Sequence, residues 1–269
     1  MERVILSEKE GKFMGKTYAI FNQKGGVGKT TTDINLGVSL AKMGNHILLV
    51  DIDPQGNTTS GLGLVKRELG DTLYEVITSE DYDVHDAIYH TETENLDIIP
   101  ASVDLSGAEV ELIQIFGREI VLRTALKQVK DEYDYIFIDC PPSLGLLAVN
   151  ALVAADGVLI PIQCEFYALE GVSQLMKTVE LVRREMNKNL QVTGVILSMF
   201  DSRTNLSLQV VQEVKRFFGN KVFRTVIPKN VRLAEAPSYG LSILDYDPSS
   251  KGAKAYKKLA EEFVQREGR

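Results

Sequence analysis

The residues best suited to chemistry form one short run near the start of the chain, residues 24–31, with the sequence KGGVGKTT. Glycines let such a backbone curl so that its N–H groups point at a phosphate, and the helix N-terminus that follows adds a positive dipole. Lys29 is placed to reach the outer phosphates of a nucleotide, and Thr30 offers its hydroxyl to Mg²⁺. The rest of the predicted phosphate-binding loop is Gly25, Gly26, Val27, Gly28 and Thr31.

The elements on either side of this run make the prediction specific. A strand-like segment, Tyr18–Gln23, precedes it, and a helical pattern with Leu36 and Leu40 on one face follows. Strand, glycine-rich turn and helix together distinguish a P-loop from an ordinary strand-to-helix turn. Lys24 is not needed for phosphate binding in such a loop, so we expect it to have a separate role.

Two later strand-like runs end in aspartates, which should lie at the same sheet edge as the loop because ligands bind beyond the carboxyl ends of parallel strands. Asp139 is suited to hold Mg²⁺ through water. Asp53 lies further from its strand and is the better candidate to orient an attacking water. Asp51 fits either a position behind the metal's ligands or a hydrogen-bonded structural network.

Apolar strands alternate with helical patterns along the chain, which predicts a doubly wound, mostly parallel sheet with helices on both faces. The predicted strands are Thr17–Asn22, His46–Asp51, Leu96–Pro100, Tyr135–Asp139, Gly157–Gln163, Val192–Met199 and Val222–Val226. The predicted helices are Thr30–Met43, Thr72–Ile77, Leu105–Val129, Leu144–Ala154, Leu169–Glu185, Ser207–Phe218 and Ser249–Arg266. We expect a polar arm at residues 1–15 and one α/β P-loop NTPase domain at residues 16–269.

Composition and charge bound the class of protein. The 269 residues are 44% hydrophobic and 25% charged, as in an ordinary globular protein. No apolar run approaches the roughly 20 residues that span a bilayer, and residues 1–15 do not read as a secretory signal. Two cysteines make neither a disulfide framework nor a metal-binding spacing. These features predict a cytoplasmic protein.

The net charge of −7 conceals an uneven distribution. Residues 183–258 carry 14 Lys and Arg against 6 Asp and Glu, whereas residues 68–97 carry ten carboxylates and no Lys or Arg. Such asymmetry fits a basic face for a polyanion and an acidic face elsewhere, and it equally fits solvated surfaces that differ in sign.

These motifs resemble the ParA family of partition ATPases, in the ParA/MinD group with a deviant Walker A motif. Nearly the whole chain is covered, and the matching segments are Asn22–Thr32, Asp51–Asn57, Asp139–Ser143 and Ile227–Ser238. The resemblance implies that ATP and Mg²⁺ are the cofactors and that the protein forms an ATP-dependent homodimer. It implies that Lys24 reaches the partner's phosphates, that Asp53 is required for hydrolysis, and that Pro228 and Asn230 line the adenine pocket.

The resemblance also implies binding to double-stranded DNA without sequence preference, through Arg203 and Arg232. Lys229 belongs to the same basic region and is assigned to the same surface. A centromere-binding partner of the ParB type is expected to stimulate slow hydrolysis, and the protein is expected on the nucleoid. Clustered Lys and Arg are what phosphate contact requires, so the charge distribution agrees with this implication.

One residue departs from the family pattern. Asp33 stands where relatives usually have a small residue such as Ala or Ser. A carboxylate in the first turn of a helix interacts favourably with the helix dipole, but near bound phosphates it would repel them. We therefore expect Asp33 to point away from the site.

Three rival functions make different demands on the sequence. A MinD-like membrane switch needs a basic amphipathic C-terminal helix, whereas residues 259–269 carry mixed charge and few apolar anchors. An iron–sulfur reductase needs cysteines placed to hold a cluster between subunits, which Cys140 and Cys164 do not offer. A transcriptional repressor with a helix-turn-helix extension needs more residues before Lys16 than the sequence contains.

Overall fold

The computed structural model describes residues 15–165 and 171–268. These residues form one eight-stranded sheet whose strands are β1 Lys16–Ile20, β2 Ile47–Asp51, β3 Tyr89–His90, β4 Leu96–Ile99, β5 Tyr135–Asp139, β6 Gly157–Gln163, β7 Gln191–Phe200 and β8 Val222–Pro228. The α-helices within the same ranges are α1 Lys29–Ala41, α2 Asn57–Gly61, α3 Leu73–Thr78, α4 Leu105–Leu112, α5 Val121–Leu126, α6 Leu146–Ala154, α7 Val172–Glu185, α8 Asn205–Phe218, α9 Val231–Glu235, α10 Ile243–Tyr246 and α11 Lys251–Glu267.

The strand order across the sheet is β3-β4-β2-β5-β1-β6-β7-β8, and every neighbouring pair is parallel except β3 with β4. All residues of β2 and β5 are buried, as expected for parallel strands covered on both faces. One apolar layer includes Leu122, Leu147 and Leu175, and the opposite layer includes Leu36 and Phe263. The predicted doubly wound α/β fold is confirmed.

The register of the central strands brings the predicted site residues to one edge of the sheet. Ile20, which leads into the glycine-rich loop, pairs with Asp139, and Asp51 pairs with Asp139 from the other side. The loop and both aspartates therefore meet at the carboxyl edge of β1, β2 and β5, as the sequence predicts.

The single helix predicted at Leu105–Val129 is wrong. The chain forms α4, a turn region and then α5. Gly117 adopts a φ of +73°, in the left-handed region that a continuous right-handed helix does not contain. The two-residue strand β3 was not predicted because it is too short to produce a periodic pattern. The proposed N-terminal arm lies outside the described residues, apart from Gly15.

Candidate nucleotide site

The glycine-rich loop connects β1 to α1 in the conformation that phosphate binding requires. Gly26 and Gly28 have φ values of +73° and +92°, which side-chain-bearing residues rarely adopt. Helix α1 begins at Lys29, directly after Gly28, and no side chain of the described residues caps it. The first backbone N–H groups of α1 are therefore open to an anion, the arrangement found at phosphate sites on helix N-termini.

Two side chains that the sequence reasoning did not single out hold this loop in place. Asn22 accepts a hydrogen bond from the backbone N–H of Lys24 at 3.0 Å and donates its amide to the carbonyl of Pro161 at 2.7 Å. The hydroxyl of Ser198, on β7, donates to the carbonyl of Val27 at 2.7 Å. Asn22 lies inside the motif segment Asn22–Thr32. Ser198 is far from the loop in sequence, and nothing in the sequence indicates that it contacts the loop.

The two lysines of the loop occupy different environments. Lys29 is buried, and its Nζ donates to the carbonyl of Lys24 at 3.4 Å. Burial lowers the pKa of Lys29, and the nearby charge of Asp139 opposes that shift. Lys24 is exposed. Lys29 therefore lies inside the site, while Lys24 is accessible to a second molecule, which is compatible with the separate role expected for it.

Asp139 forms the centre of a buried hydroxyl–carboxylate cluster beneath the loop. Its Oδ2 accepts hydrogen bonds from the hydroxyls of Thr30 at 2.6 Å and of Thr58 at 2.9 Å. Its Oδ1 is buried without a hydrogen-bond partner among the described residues. Burial raises the pKa of Asp139, the charge of Asp51 adds to this, and the two hydroxyls and Lys29 oppose it.

This cluster fits Mg²⁺. It combines the Thr30 hydroxyl with a buried carboxylate oxygen that lacks a partner, and hard divalent cations prefer oxygen ligands. Within the described residues, no group of three or more His, Cys, Asp or Glu side chains is arranged to hold a metal ion by itself. Nucleotide phosphates and water must therefore supply the remaining ligands, as Mg²⁺ sites commonly require.

The expectation that Asp33 points away from the site is wrong. Its side chain is buried, and its Oδ2 accepts a hydrogen bond from the hydroxyl of Thr58 at 3.4 Å. The same hydroxyl donates to Asp139, so Asp33 belongs to the cluster beneath the loop. Burial raises the pKa of Asp33 well above its usual range, and the charges of Asp139 and Asp51 add to that shift. The tertiary contact with Thr58, on α2, decides its position, and helix periodicity alone does not reveal it.

Asp51 and Asp53 have different surroundings. Asp51 Oδ2 accepts hydrogen bonds from the backbone N–H and the hydroxyl of Thr59, at 2.8 and 2.7 Å, so Asp51 belongs to a structural network. The Thr59 hydroxyl accepts a hydrogen bond from Ala101 N–H at 3.0 Å and thereby ties that network to the segment after β4. Asp53 accepts a hydrogen bond from Gln55 N–H at 3.0 Å through one oxygen, which fixes the carboxylate near Lys29.

An apolar pocket of about 290 Å³ lies beside the loop. Pro228 and Asn230, the residues assigned to adenine, both line it, together with Gly28 and Thr31 from the loop region. Met199 and Tyr256, which the sequence reasoning did not assign, also line it. Asn230 has a second task, because its Oδ1 accepts the backbone N–H of Arg232 at 2.9 Å and caps α9. The pocket is of a kind that suits a flat, largely apolar base.

The structure brings the three residues assigned to DNA to the carboxyl ends of β7 and β8. Arg203 follows β7, Lys229 follows β8, and the backbone N–H of Lys229 donates to the carbonyl of Phe200 at 3.0 Å. Arg203 forms a two-pronged ion pair with Asp201, at 2.9 and 2.7 Å, and Arg232 pairs with Glu235 at 2.8 Å. All three basic side chains are exposed. Their arrangement is compatible with a phosphate-binding surface that also contains carboxylates.

Comparison with known proteins places this site in a family. A family model described as "AAA domain" matches residues 15–192. The chain is 58% identical to the sporulation initiation inhibitor protein Soj of Bacillus subtilis, over 93% of this chain and 99% of that protein. It is 52% identical to the chromosome partitioning protein ParA of Myxococcus xanthus, over 94% of this chain and 89% of that protein.

A solved structure shares the fold at comparable length. The cobyrinic acid a,c-diamide synthase of Mycobacterium smegmatis, crystallised with ADP and magnesium, superposes with a TM-score of 0.83 at 36% identity. The match covers 95% of this chain and 97% of that one. The glycine-rich loop, the aspartates that end β2 and β5, and the long matches to Soj and ParA agree with one another. The chain belongs to the Soj/ParA family of chromosome-partitioning P-loop ATPases.

Proposed function

We propose that this protein is a DNA-partition ATPase in which ATP binding drives dimerisation and DNA binding, and hydrolysis reverses both. As a member of its family it is an ATPase that uses ATP and Mg²⁺. One observation carries the proposal: the loop, the Thr30–Asp139 pair and the basic residues that follow β7 and β8 lie at the same edge of the sheet. A nucleotide bound there lies beside the surface that it would control.

The proposed mechanism assigns each residue a distinct action. The loop N–H groups and Lys29 would hold the phosphates, while Thr30 and Asp139 would hold the metal, the latter through water. The chemistry that Mg²⁺ would supply there is neutralisation of phosphate charge and orientation of the terminal phosphate. Asp53 orients the attacking water, because one of its oxygens is fixed by Gln55 and the other accepts no hydrogen bond from the described residues. Lys24 reaches the nucleotide of the second protomer.

Dimerisation would raise the affinity of the protein for DNA. Affinity for DNA depends steeply on the number of phosphates that the protein neutralises. In a dimer, once one basic surface has bound DNA, the second is held close to it and binds at a high effective concentration. A centromere-binding partner of the ParB type would accelerate hydrolysis and return the protein to monomers. We propose that the protein acts in the cytoplasm, on the nucleoid.

The membrane alternative receives less support. Among the described residues, no helix is long and apolar enough to cross a bilayer. A MinD-like switch would instead lie on the membrane surface through its last helix. The 17 residues of α11 contain five Lys or Arg and four Glu or Gln, interspersed along the helix, so it has no single strongly basic face.

Charge reversal at the basic surface tests DNA binding. With ATP and Mg²⁺, we expect Arg203→Glu and Arg232→Glu each to weaken binding to a labelled duplex at least about tenfold at equal salt, because each removes a phosphate contact and adds a repulsive charge. Fluorescence anisotropy across a salt series measures this. The slope of log affinity against log salt should fall by about 0.9 for each lost contact.

Arg184→Glu is the matched control, because Arg184 is exposed within the basic region but lies on α7, away from the ends of β7 and β8. It changes the net charge by the same amount and should weaken binding much less. Equal losses for Arg203→Glu and Arg184→Glu would show that binding follows net charge, and the proposed surface would be wrong.

A further inference from the structure

One part of the protein surface carries several large, exposed apolar side chains. It is a ridge formed by Val110, Ile113, Phe116 and Ile120, on the last turns of α4 and the segment leading to α5. Phe116 is fully exposed, and Val110 and Ile113 are 68% and 58% exposed. Contiguous exposed apolar side chains of this size commonly mark interaction sites.

A groove of about 580 Å³ runs beside this ridge. One wall is formed by Ile115, Phe116 and Ile120 of the ridge segment. The opposite wall follows α3 and includes Glu80 and Asp81. The groove therefore has an apolar side and an acidic rim, a combination that neither nucleotide binding nor the basic surface uses.

The two rim carboxylates are free to meet a ligand. Several other acidic residues between positions 68 and 97 are already engaged: Glu75 accepts from Thr72, Asp71 from Tyr82, and Asp97 from Tyr133. Glu80 and Asp81, by contrast, are exposed and make no side-chain hydrogen bond or ion pair within the described ranges 15–165 and 171–268. The stretch that carries them, residues 68–97, contains no Lys or Arg.

The groove is separated from the basic surface by the width of the sheet. Asp81 has a φ of +52°, a left-handed conformation that aspartate tolerates better than most residues, and it presents the rim at the end of α3. The groove lies towards the β4 side of the sheet, since Leu73 N–H bonds to the carbonyl of Pro100 just after β4. Arg203 and Lys229 follow β7 and β8, at the other end of the strand order. One molecule could therefore occupy the groove while another occupies the basic surface.

We propose that this groove binds a cationic amphipathic segment of a protein partner. A large apolar side chain of that segment packs against Phe116 and Ile120, and its Lys or Arg side chains meet Glu80 and Asp81. This is the chemistry of a helix or strand seated in a groove, with apolar anchors for affinity and charges for orientation. Binding of such a segment does not require DNA binding.

The charge of the rim selects against the other occupants. In a symmetric pair of identical chains the same patch meets itself, so the acidic rims of two copies would lie against each other. DNA and anionic lipid headgroups carry the same sign as the rim. A cationic segment is the occupant that the rim attracts.

Binding of a designed peptide tests the proposal. The probe is a fluorescein-labelled 18-residue helical peptide, of design length about five turns, with Leu and Phe on one face and Lys and Arg on the other. Against the full chain we expect saturable binding that Phe116→Ser weakens at least about tenfold, because it removes a central apolar anchor. The double variant Glu80→Lys/Asp81→Lys should weaken it by a similar factor.

The double variant Glu92→Lys/Glu94→Lys is the matched control. It makes the same charge change in the same acidic stretch, on exposed residues of the turn between β3 and β4, and should alter peptide affinity less than about twofold. All variants should keep the parental melting temperature and basal ATP hydrolysis, because their side chains are exposed and remote from the nucleotide site.

Four results would overturn the proposal. The first is absence of saturable peptide binding to the parent, and the second is an equal loss of affinity in the control variant. The third is a change in the sedimentation of the peptide-free protein caused by Phe116→Ser, which would assign the ridge to a second copy of the chain. The fourth is a loss of binding to duplex DNA or anionic vesicles caused by the same substitution.

Discussion

Replacing Asp53 by alanine is expected to lower the rate of ATP hydrolysis at least about a hundredfold while ATP binding is retained. A positioned carboxylate that orients water or takes its proton contributes about 10²- to 10⁴-fold to such a reaction. Asp53 is buried, and Gln55 N–H fixes one of its oxygens at 3.0 Å, so it is held rigidly in place. The phosphates are held by other groups, chiefly the loop N–H groups and Lys29.

Phosphate release under saturating ATP measures the rate, and displacement of a fluorescent nucleotide measures the affinity. Asp86→Ala is the control, because Asp86 is an exposed carboxylate far along the chain from the loop. Hydrolysis by Asp53→Ala within about twofold of the parent would remove Asp53 from the mechanism. A parallel loss of nucleotide affinity would instead give it a role in binding.

Replacing Asp33 by asparagine is expected to stabilise the metal-free protein at pH 7.5 by about 1–3 kcal/mol. Asp33, Asp51 and Asp139 are buried together, and each has one oxygen without a hydrogen-bond partner in the described part of the chain. Burial raises the pKa of all three carboxyls. An amide of the same shape removes one ionisable group and adds an N–H donor to a cluster in which Asp51 and Asp139 each keep an acceptor oxygen without a partner among the described residues.

The free energy of unfolding should depend on pH with a defined sign. A carboxyl whose pKa is raised in the folded state binds a proton that the unfolded chain releases above about pH 4. Its stabilising contribution is therefore present at low pH and is lost as the pH rises towards neutrality. The advantage of Asp33→Asn should be clear at pH 7.5 and small at pH 5.

Thermal unfolding in EDTA at the two pH values measures this effect, and Glu94→Gln controls for loss of one negative charge at an exposed position. A gain of 1 kcal/mol corresponds to a rise in Tm of about 2–4 °C for a chain of this size class. A lower Tm for Asp33→Asn at pH 7.5 would mean that the carboxylate makes a stabilising contact, contrary to this account.

The sequence predicts the parts of the site that lie close together along the chain. Strand, loop and first helix turn are contiguous, so Lys29 and Thr30 follow from local spacing alone. The meeting of Asp139 with Thr30 follows from the rule that parallel strands present their carboxyl ends at one edge. The positions of the apolar runs are enough for that step, and the register of β1, β2 and β5 confirms it.

Contacts between distant segments escape this kind of prediction. Ser198 supports the loop from β7, and Thr58 links Asp33 to Asp139. Ser198 lies in a predicted strand, but neither its position there nor the sequence around Thr58 indicates these contacts. The break between α4 and α5 depends on the backbone of Gly117 rather than on the apolar spacing around it. The ion pair of Arg203 with Asp201 likewise depends on loop geometry, although the two residues are neighbours in sequence.

In the proposed mechanism, Lys24 links nucleotide state to dimerisation and DNA binding. The most direct test measures, on one set of samples, sedimentation and binding to a labelled duplex with ATP or ADP and Mg²⁺. For the parent and for the exposed-lysine control Lys177→Ala, we predict a dimer with ATP and DNA affinity at least about tenfold higher than with ADP. Lys24→Ala should stay monomeric and bind DNA weakly with either nucleotide. A Lys24→Ala protein that dimerises with ATP and binds DNA as tightly as the parent would show that Lys24 does not couple the two.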